Sequence, residues 1–303
     1  MIAPCSPAPE IAGKLSPRKP STSPRSASSL AAADSSVSAP VGPTWSSQCR
    51  KRQIATASRA WAGDPFEIQV YDGTANAPGV PGLELHLNDW ATGNRAAMSP
   101  EAPLHGQFHA TLEPSLGVTP FWELGAYLQG AVRTDDGVVD WAGAKLRSKF
   151  VTPPTWDPHW RLGLNFEVSY LPPTYDHDRW GSEVRPIVAW HDEHWLFVFN
   201  PILDQSFAGS DASQGPSFQP AVKAARTVGP LAIGFEYYAT LGPLTAILPW
   251  HEQEQQVFEA VDLVSIDRLE VNFGVGEGLT SSSEGVVVKG IIGYEFEPSP
   301  EKN

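Results

Sequence analysis

Trp160-Arg-Leu-Gly-Leu-Asn-Phe-Glu-Val-Ser-Tyr170 alternates without a break between large apolar residues and polar or small ones. Side chains of an extended strand point to opposite faces in turn, so this stretch has one wholly apolar face and one wholly polar face. Arg161 to Leu171, like Gly285 to Phe296, also supplies the nine to eleven residues, roughly, that a tilted strand needs to cross the apolar core of a bilayer.

The same pattern recurs along most of the chain. Leu83, Leu85 and Leu87 alternate with Glu84, His86 and Asn88; Phe108, Ala110 and Leu112 with Gln107, His109, Thr111 and Glu113. Trp122, Leu124, Ala126 and Leu128 alternate with Glu123, Gly125, Tyr127 and Gln129, and Leu231, Ile233, Phe235 and Tyr237 with Ala232, Gly234, Glu236 and Tyr238. Val271, Phe273 and Val275 do so with Glu270, Asn272 and Gly274. Helical spacing competes only between Glu252 and Leu263.

Alternation also describes a soluble β-sandwich, and the connections separate the two. Counted back from a last strand at Val286 to Phe296, long polar links (280–284, 242–254, 204–217, 172–181, 134–140 and 89–104) take turns with tight ones (266–268, 229–230, 192–194, 153–159 and 118–120). Long links therefore gather at one end and tight ones at the other, as in barrels with short periplasmic turns and long external loops. The fold expected is all-β: a transmembrane antiparallel up-and-down β-barrel of about twelve strands, with a disordered N-terminal extension.

Composition agrees. Charged residues make up 18% of the 303, hydrophobic ones 41%, and there are 11 Trp, 13 Phe and 7 Tyr. Trp122, Trp141, Trp160, Trp190 and Trp195 fall at predicted strand ends, where indole rings favour the bilayer interface. A net charge of -13 excludes a general nucleic-acid binder, which needs a basic surface.

The boundaries follow from composition. Residues 1–62 are rich in Ser, Pro, Ala and Arg and hold both cysteines, Cys5 and Cys49; they are expected to be disordered. Ala60-Trp61-Ala62 fits the small-x-small pattern read by signal peptidase, with Lys51 and Arg52 upstream, which predicts a mature start at Gly63. The apolar stretch of an ordinary signal peptide is missing between them. Residues 63–81 are expected to be a periplasmic or plug segment, 82–297 the barrel and 298–303 a tail.

The polar face would line the lumen. Arg133, Lys145, Arg147, Lys149 and Arg161 then present a cationic wall on three adjacent strands, and Glu236, Glu270 and Glu295 lie across from it. Glu167, Glu183, Arg185 and Lys289 complete the expected lining. Such separation of charge would bias a water-filled pore by charge and orientation. The alternative is that these charges pair with one another, Glu167 with Lys149, Glu183 with Arg161 and Glu113 with Arg133, and fill the lumen. The Gly- and Ser-rich loop from Asp204 to Ser217 could fold inward or lie exposed.

Enzyme chemistry finds little support. His105, His109, His159, His177, His191, His194 and His251 are available, but there is no Gly-x-Ser-x-Gly elbow and no strand carries His and Ser together on its lipid-facing edge. Asp176-His177-Asp178 and His191-Asp192-Glu193-His194 have the composition of metal ligands but read as solvated loops. Gly274-Val-Gly-Glu-Gly278 lies in a strand and not before a helix, so it is no phosphate cradle. No catalytic residue, metal or cofactor is expected.

Phe66-Glu-Ile-Gln-Val-Tyr-Asp72, Asn76-Ala-Pro-Gly79, Gly82-Leu-Glu-Leu-His-Leu-Asn88, Arg268-Leu-Glu-Val-Asn-Phe-Gly-Val-Gly-Glu-Gly-Leu-Thr280 and Lys289-Gly-Ile-Ile-Gly-Tyr-Glu-Phe296 resemble the outer-membrane transporters grouped with the phenol-degradation (MetA-pathway) porin-like proteins. The resemblance spans nearly everything from Phe66 to Phe296. It implies an outer-membrane porin-like channel for small organic solutes, anionic or aromatic, with the lipid bilayer, the barrel-assembly machinery and the solute as partners and no catalytic residues. That family ends on its last aromatic residue, whereas this chain runs on through Glu297 to Asn303. A closed anchoring barrel, or a lipid hydrolase of the outer membrane, would share the same scaffold.

Overall fold

The computed structural model describes residues 64–95, 99–209 and 211–297. The leader, its cysteines, the Ala-Trp-Ala site and the tail after Glu297 lie outside the described residues. Twelve strands form one closed antiparallel barrel: β1 Pro81–Trp90, β2 Gln107–Thr119, β3 Trp122–Arg133, β4 Val139–Val151, β5 Trp160–Tyr170, β6 Trp180–His191, β7 Trp195–Ser206, β8 Ser217–Val228, β9 Leu231–Thr240, β10 Glu254–Leu263, β11 Leu269–Gly278 and β12 Val286–Glu295. Each strand pairs with its sequence neighbours, and β1 closes on β12 through Gly82↔Glu295 to Asp89↔Val288. Closure leaves no unpaired edge, the condition for a sheet to cross lipid.

The outer wall is aliphatic and aromatic: Leu83, Leu112, Leu128, Leu146, Phe166, Phe199, Phe235, Phe273 and Ile292 are all exposed. The inner wall is polar and buried, with Arg185, Lys289, His86, His109, Gln107 and Gln129 among the most enclosed side chains. An apolar exterior around a polar interior is the reverse of a soluble domain and identifies a bacterial outer-membrane β-barrel. Trp160 and Trp195 stand exposed at the tight-turn end, with Trp122 stacked on Phe150 there; at the other end Trp141 stacks on Tyr170, which meets Trp180.

Two local readings are corrected. The stretch with competing helical spacing forms strand β10 after a single 3-10 turn at Trp250–Glu252, because pairing with β9 and β11 satisfies its backbone. The Asp204 to Ser217 link begins later than expected, since β7 runs to Ser206. Its Asp211 N–H donates to Asp178 Oδ2 at 3.0 Å, so the loop leans on the β5–β6 loop.

One irregularity sets the chemistry of the interior. Trp141 and Lys145 are four residues apart and would share a face of a regular strand. Trp141 is nonetheless 56% exposed, while the Lys145 side chain is 7% exposed. Between them the register with β3 slips, Gln129↔Gly143 being followed by Gly130↔Trp141. The extra residue of this β-bulge turns the strand over once. Gly143 sits there at φ 144 with Tyr170 O only 2.6 Å from where a Cβ would be, so no other residue fits without movement.

Candidate functional site: the lumen

Residues 64–80 thread the lumen. Phe66 stacks on His109 at 4.0 Å near the long-loop end, Tyr71 contacts Asn200 at mid-height, and Asn76 reaches Glu123 and Ser115 beside the tight turns before the chain enters β1. Phe66, Ile68, Val70 and Tyr71 are all less than 10% exposed. Ile68 and Val70 pack against the inward apolar residues of one side, including Val198, Ile202, Tyr238, Phe258 and Val287.

An extended chain inside a barrel has no strand partner, so its backbone must be satisfied by side chains. The wall supplies them. Asn88 Nδ2 donates to Pro65 O at 3.1 Å, Thr111 Oγ1 to Phe66 O at 3.0 Å, Lys289 Nζ to Ile68 O at 3.0 Å and Arg185 Nη1 to Gln69 O at 3.2 Å. Asn200 grips Tyr71 from both sides, accepting its N–H at 2.8 Å and donating to its carbonyl at 3.0 Å. Glu123 Oε2 accepts the Asn76 N–H at 2.6 Å.

Charge completes the fit. The segment's Asp64 pairs with Lys145, its Glu67 lies 3.7 Å from both Lys145 and Arg185, and its Asp72 pairs with Arg161 at 2.8 Å. The Tyr71 ring lies under the Arg185 guanidinium, 4.2 Å from ring centre, with Arg147 and Lys149 at 5.5 and 5.4 Å. Its hydroxyl donates to Glu67 at 2.6 Å and lies 2.5 Å from the Tyr127 hydroxyl.

The expected lining residues divide into groups. Lys145, Arg147, Lys149, Glu167, Glu183, Arg185, Glu236 and Lys289 point inward and are joined in pairs: Lys145–Glu167 at 3.1 Å, Arg147 to Glu113 and Glu123 at 2.7 Å each, Lys149–Glu123 at 2.9 Å, Arg185–Glu183 at 2.6 Å, and Lys289 with Glu236. Arg133 sits at the long-loop rim beside Asp136 at 3.1 Å. Glu270 and Glu295 line a cavity of about 350 Å³ that opens at the tight-turn end beneath the segment, together with Gln69, Asp72, Glu84 and Lys149.

None of the three pairs suggested by the sequence forms among the salt bridges of the described residues. Glu167 takes Lys145 in place of Lys149, because Lys149 faces Glu123 directly across β3–β4. Arg161 takes Asp72 of the threaded segment in place of Glu183, which its strand neighbour Arg185 holds. Arg133 takes Asp136 and leaves Glu113 to Arg147. Gly125 makes the room: a Cβ there would lie 2.7 Å from the Arg147 guanidinium.

Sequence reasoning assigned no role to Asn200, to Tyr127 and Glu123 on their polar face, or to Lys223, which pairs with Glu236 at 3.2 Å and Asp262 at 2.8 Å. Their signal was weak, since each is one more polar residue on an inward position. Asp178 also departs from a solvated loop: it is 2% exposed, and His177 lies between it, at 2.9 Å, and Glu101, at 2.8 Å. Burial disfavours charge on His177, but the Glu101 hydrogen bond and the Asp178 and Glu101 carboxylates outweigh it and raise its pKa.

No sequence family and no curated relative matches the chain. Solved structures do. An outer membrane channel of the COG4313 group from Pseudomonas putida F1 is 13% identical over 76% of this chain and 100% of its own, with a TM-score of 0.51. A KdgM porin is 8% identical over 71% and 99%, at 0.47, and the outer membrane phospholipase A of Escherichia coli 9% identical over 78% and 96%, at 0.41. At these identities the likeness concerns the barrel fold alone.

Proposed function

We propose that this protein is a porin-type channel of the outer membrane whose resting lumen is occupied by its own residues 64–80, and that the open pore favours small anionic organic solutes. The observation that carries this reading is the ownership of the charges. Asp64, Glu67 and Asp72 belong to the segment, and the lysine and arginines they neutralise, Lys145, Arg185 and Arg161, belong to the wall. Withdrawal of the segment therefore removes three carboxylates, freeing Arg161 outright and leaving Lys145 and Arg185 with one wall carboxylate each, Glu167 and Glu183. A solute carboxylate offers those cations the chemistry that Asp64 and Asp72 offer now. Tyr127, beneath the same cations, would give an aromatic solute a ring to lie against.

The grouping with the MetA-pathway porin-like transporters suggested by the sequence belongs with this reading, as does passage through the barrel-assembly machinery. Planar-bilayer recordings test it. The full chain is expected to conduct rarely, and a chain starting at Thr74 to conduct steadily with a reversal potential on the anion side in a salt gradient. Silence from both folded proteins would favour a closed anchoring barrel. Cation selectivity of the shortened chain would refute the solute class, and phospholipid hydrolysis by the full chain would restore the enzyme reading.

A further inference from the structure

The wall of the lumen gathers a histidine and two carboxylates from β1 and β2 at one level, beside the threaded segment. On β1 and β2, Glu84 and Glu113 stand directly opposite each other in the register, and Gly293 of β12 faces Glu84 from the other side. Gly293 in turn faces Glu270 of β11. A Cβ on Gly293 would lie 2.8 Å from Glu84 Cγ and 3.2 Å from Glu270 Cβ, so this glycine is what lets the carboxylates gather at one level. Like charges directly opposed across a strand pair repel. Arg147 offsets this for Glu113 from one side, and His86 occupies the space between the two carboxylates.

His86, one inward position along β1, is 1% exposed. Its Nε2 lies 3.4 Å from Glu84 Oε2 and 3.3 Å from Glu113 Oε2. Among the described residues neither ring nitrogen, and neither Glu113 oxygen, makes a well-directed hydrogen bond. Separations of 3.3 to 3.4 Å are long for charge-assisted hydrogen bonds. They match two edges of a coordination tetrahedron, since ligands about 2.0–2.2 Å from a zinc ion lie about 3.3–3.6 Å apart. The three ligand atoms fall within 4.8 Å of one another, and the broad terminal torsion of a glutamate allows the remaining closure.

We propose that Glu84, His86 and Glu113 form a binding site for a divalent transition cation of zinc type in the barrel wall. The surroundings suit it. Arg147 Nη2, 2.7 Å from Glu113 Oε1, orients that carboxylate through the oxygen that does not face His86. The Gln69 amide holds Glu84 at 3.4 Å and Glu270 at 3.3 Å, keeping a further carboxylate close. Glu84 also lines the cavity at the tight-turn end, which supplies an entry path and room for water as a further ligand. The sequence suggested metal ligands only in the loops, because in strand β1 one histidine between polar alternates carries no spacing signal. The proposal stands whether or not the barrel conducts.

The test is titration of the folded, chelator-treated full chain in detergent micelles with Zn2+ by calorimetry, and with Co2+ by visible absorption, where a tetrahedral site gives intense d–d bands. One tight equivalent is expected. His86→Ala should weaken it at least about 100-fold and Glu113→Gln about tenfold or more, since each removes a ligand. His177→Ala, in the loop cluster with Glu101 and Asp178, should leave it unchanged. If His86→Ala fails to give the heat-modifiable folded band, His86→Gln and Glu84→Gln are titrated instead. No saturable Zn2+ binding, or binding lost with His177 and retained in the His86 and Glu84 variants, overturns the site; His86 would then be an imidazolium bridging two carboxylates.

Discussion

Asn200→Ala is the substitution that most directly separates a seated lumen segment from a permanent filling. Asn200 is 0% exposed, and its amide satisfies both the N–H and the carbonyl of Tyr71. Truncation to alanine strips both backbone groups of their partner in a buried setting. Each orphaned group costs about 1–3 kcal/mol. Water can enter the space the amide leaves, so the lower end applies to each, and the seated state loses about 2 kcal/mol in all. That is about a 30-fold shift toward the displaced segment. Because Asn200 is on β7 and Tyr71 on the segment, the loss falls on the contact between them and not on strand pairing. The assay is open probability in planar bilayers, with heat modifiability confirming the folded barrel. Phe199→Ala, the neighbouring lipid-facing position, serves as the control. An open probability within about threefold of the parent would refute the premise that these two hydrogen bonds hold a displaceable segment.

Two further outcomes follow from other parts of the molecule. Glu259 is exposed on the outer face of β10, between Phe235 and Val275, so it is a carboxylate in the lipid belt; Glu259→Leu should raise stability in vesicle-refolding urea titrations by about 1–2 kcal/mol. A loss of stability would mean that this carboxylate has a partner outside the chain. The His177 pKa is raised above its ordinary 6.5, so its stabilising contribution is fully present below that pH and is lost as pH rises through the folded value. Protease cleavage in the loop of residues 171–179 should therefore quicken as pH rises above about 6.5, and quicker cleavage at acid pH would contradict the assigned ion pairs.

The barrel was legible in the chain because its signals are local. Period-two alternation in Trp160–Tyr170 depends only on the geometry of an extended backbone, and the long and short links need only be counted. The inward position of Lys145, Arg147 and Lys149 was legible for the same reason, as was the exposure of Trp141. That these two readings conflict in parity, and are reconciled by a bulge at Gly143, was not, since a bulge shows itself only in the register with β3. Charge partners were the least legible. Which carboxylate meets Lys145 depends on diagonal contacts across neighbouring strands and on Asp64, brought from outside the sheet.

The sequence by itself thus determined a twelve-stranded membrane barrel and the polarity of its two faces, because lipid and water sort side chains residue by residue along each strand. Only the tertiary structure decided what fills the lumen. Until Gly79 and Val80 meet Gly117 of β2 the segment has no strand partner, so its position rests on Asn88, Thr111, Arg185, Asn200 and Lys289, drawn from five different strands. Closing the barrel brings those five side chains around one extended chain, and no spacing along the sequence records that.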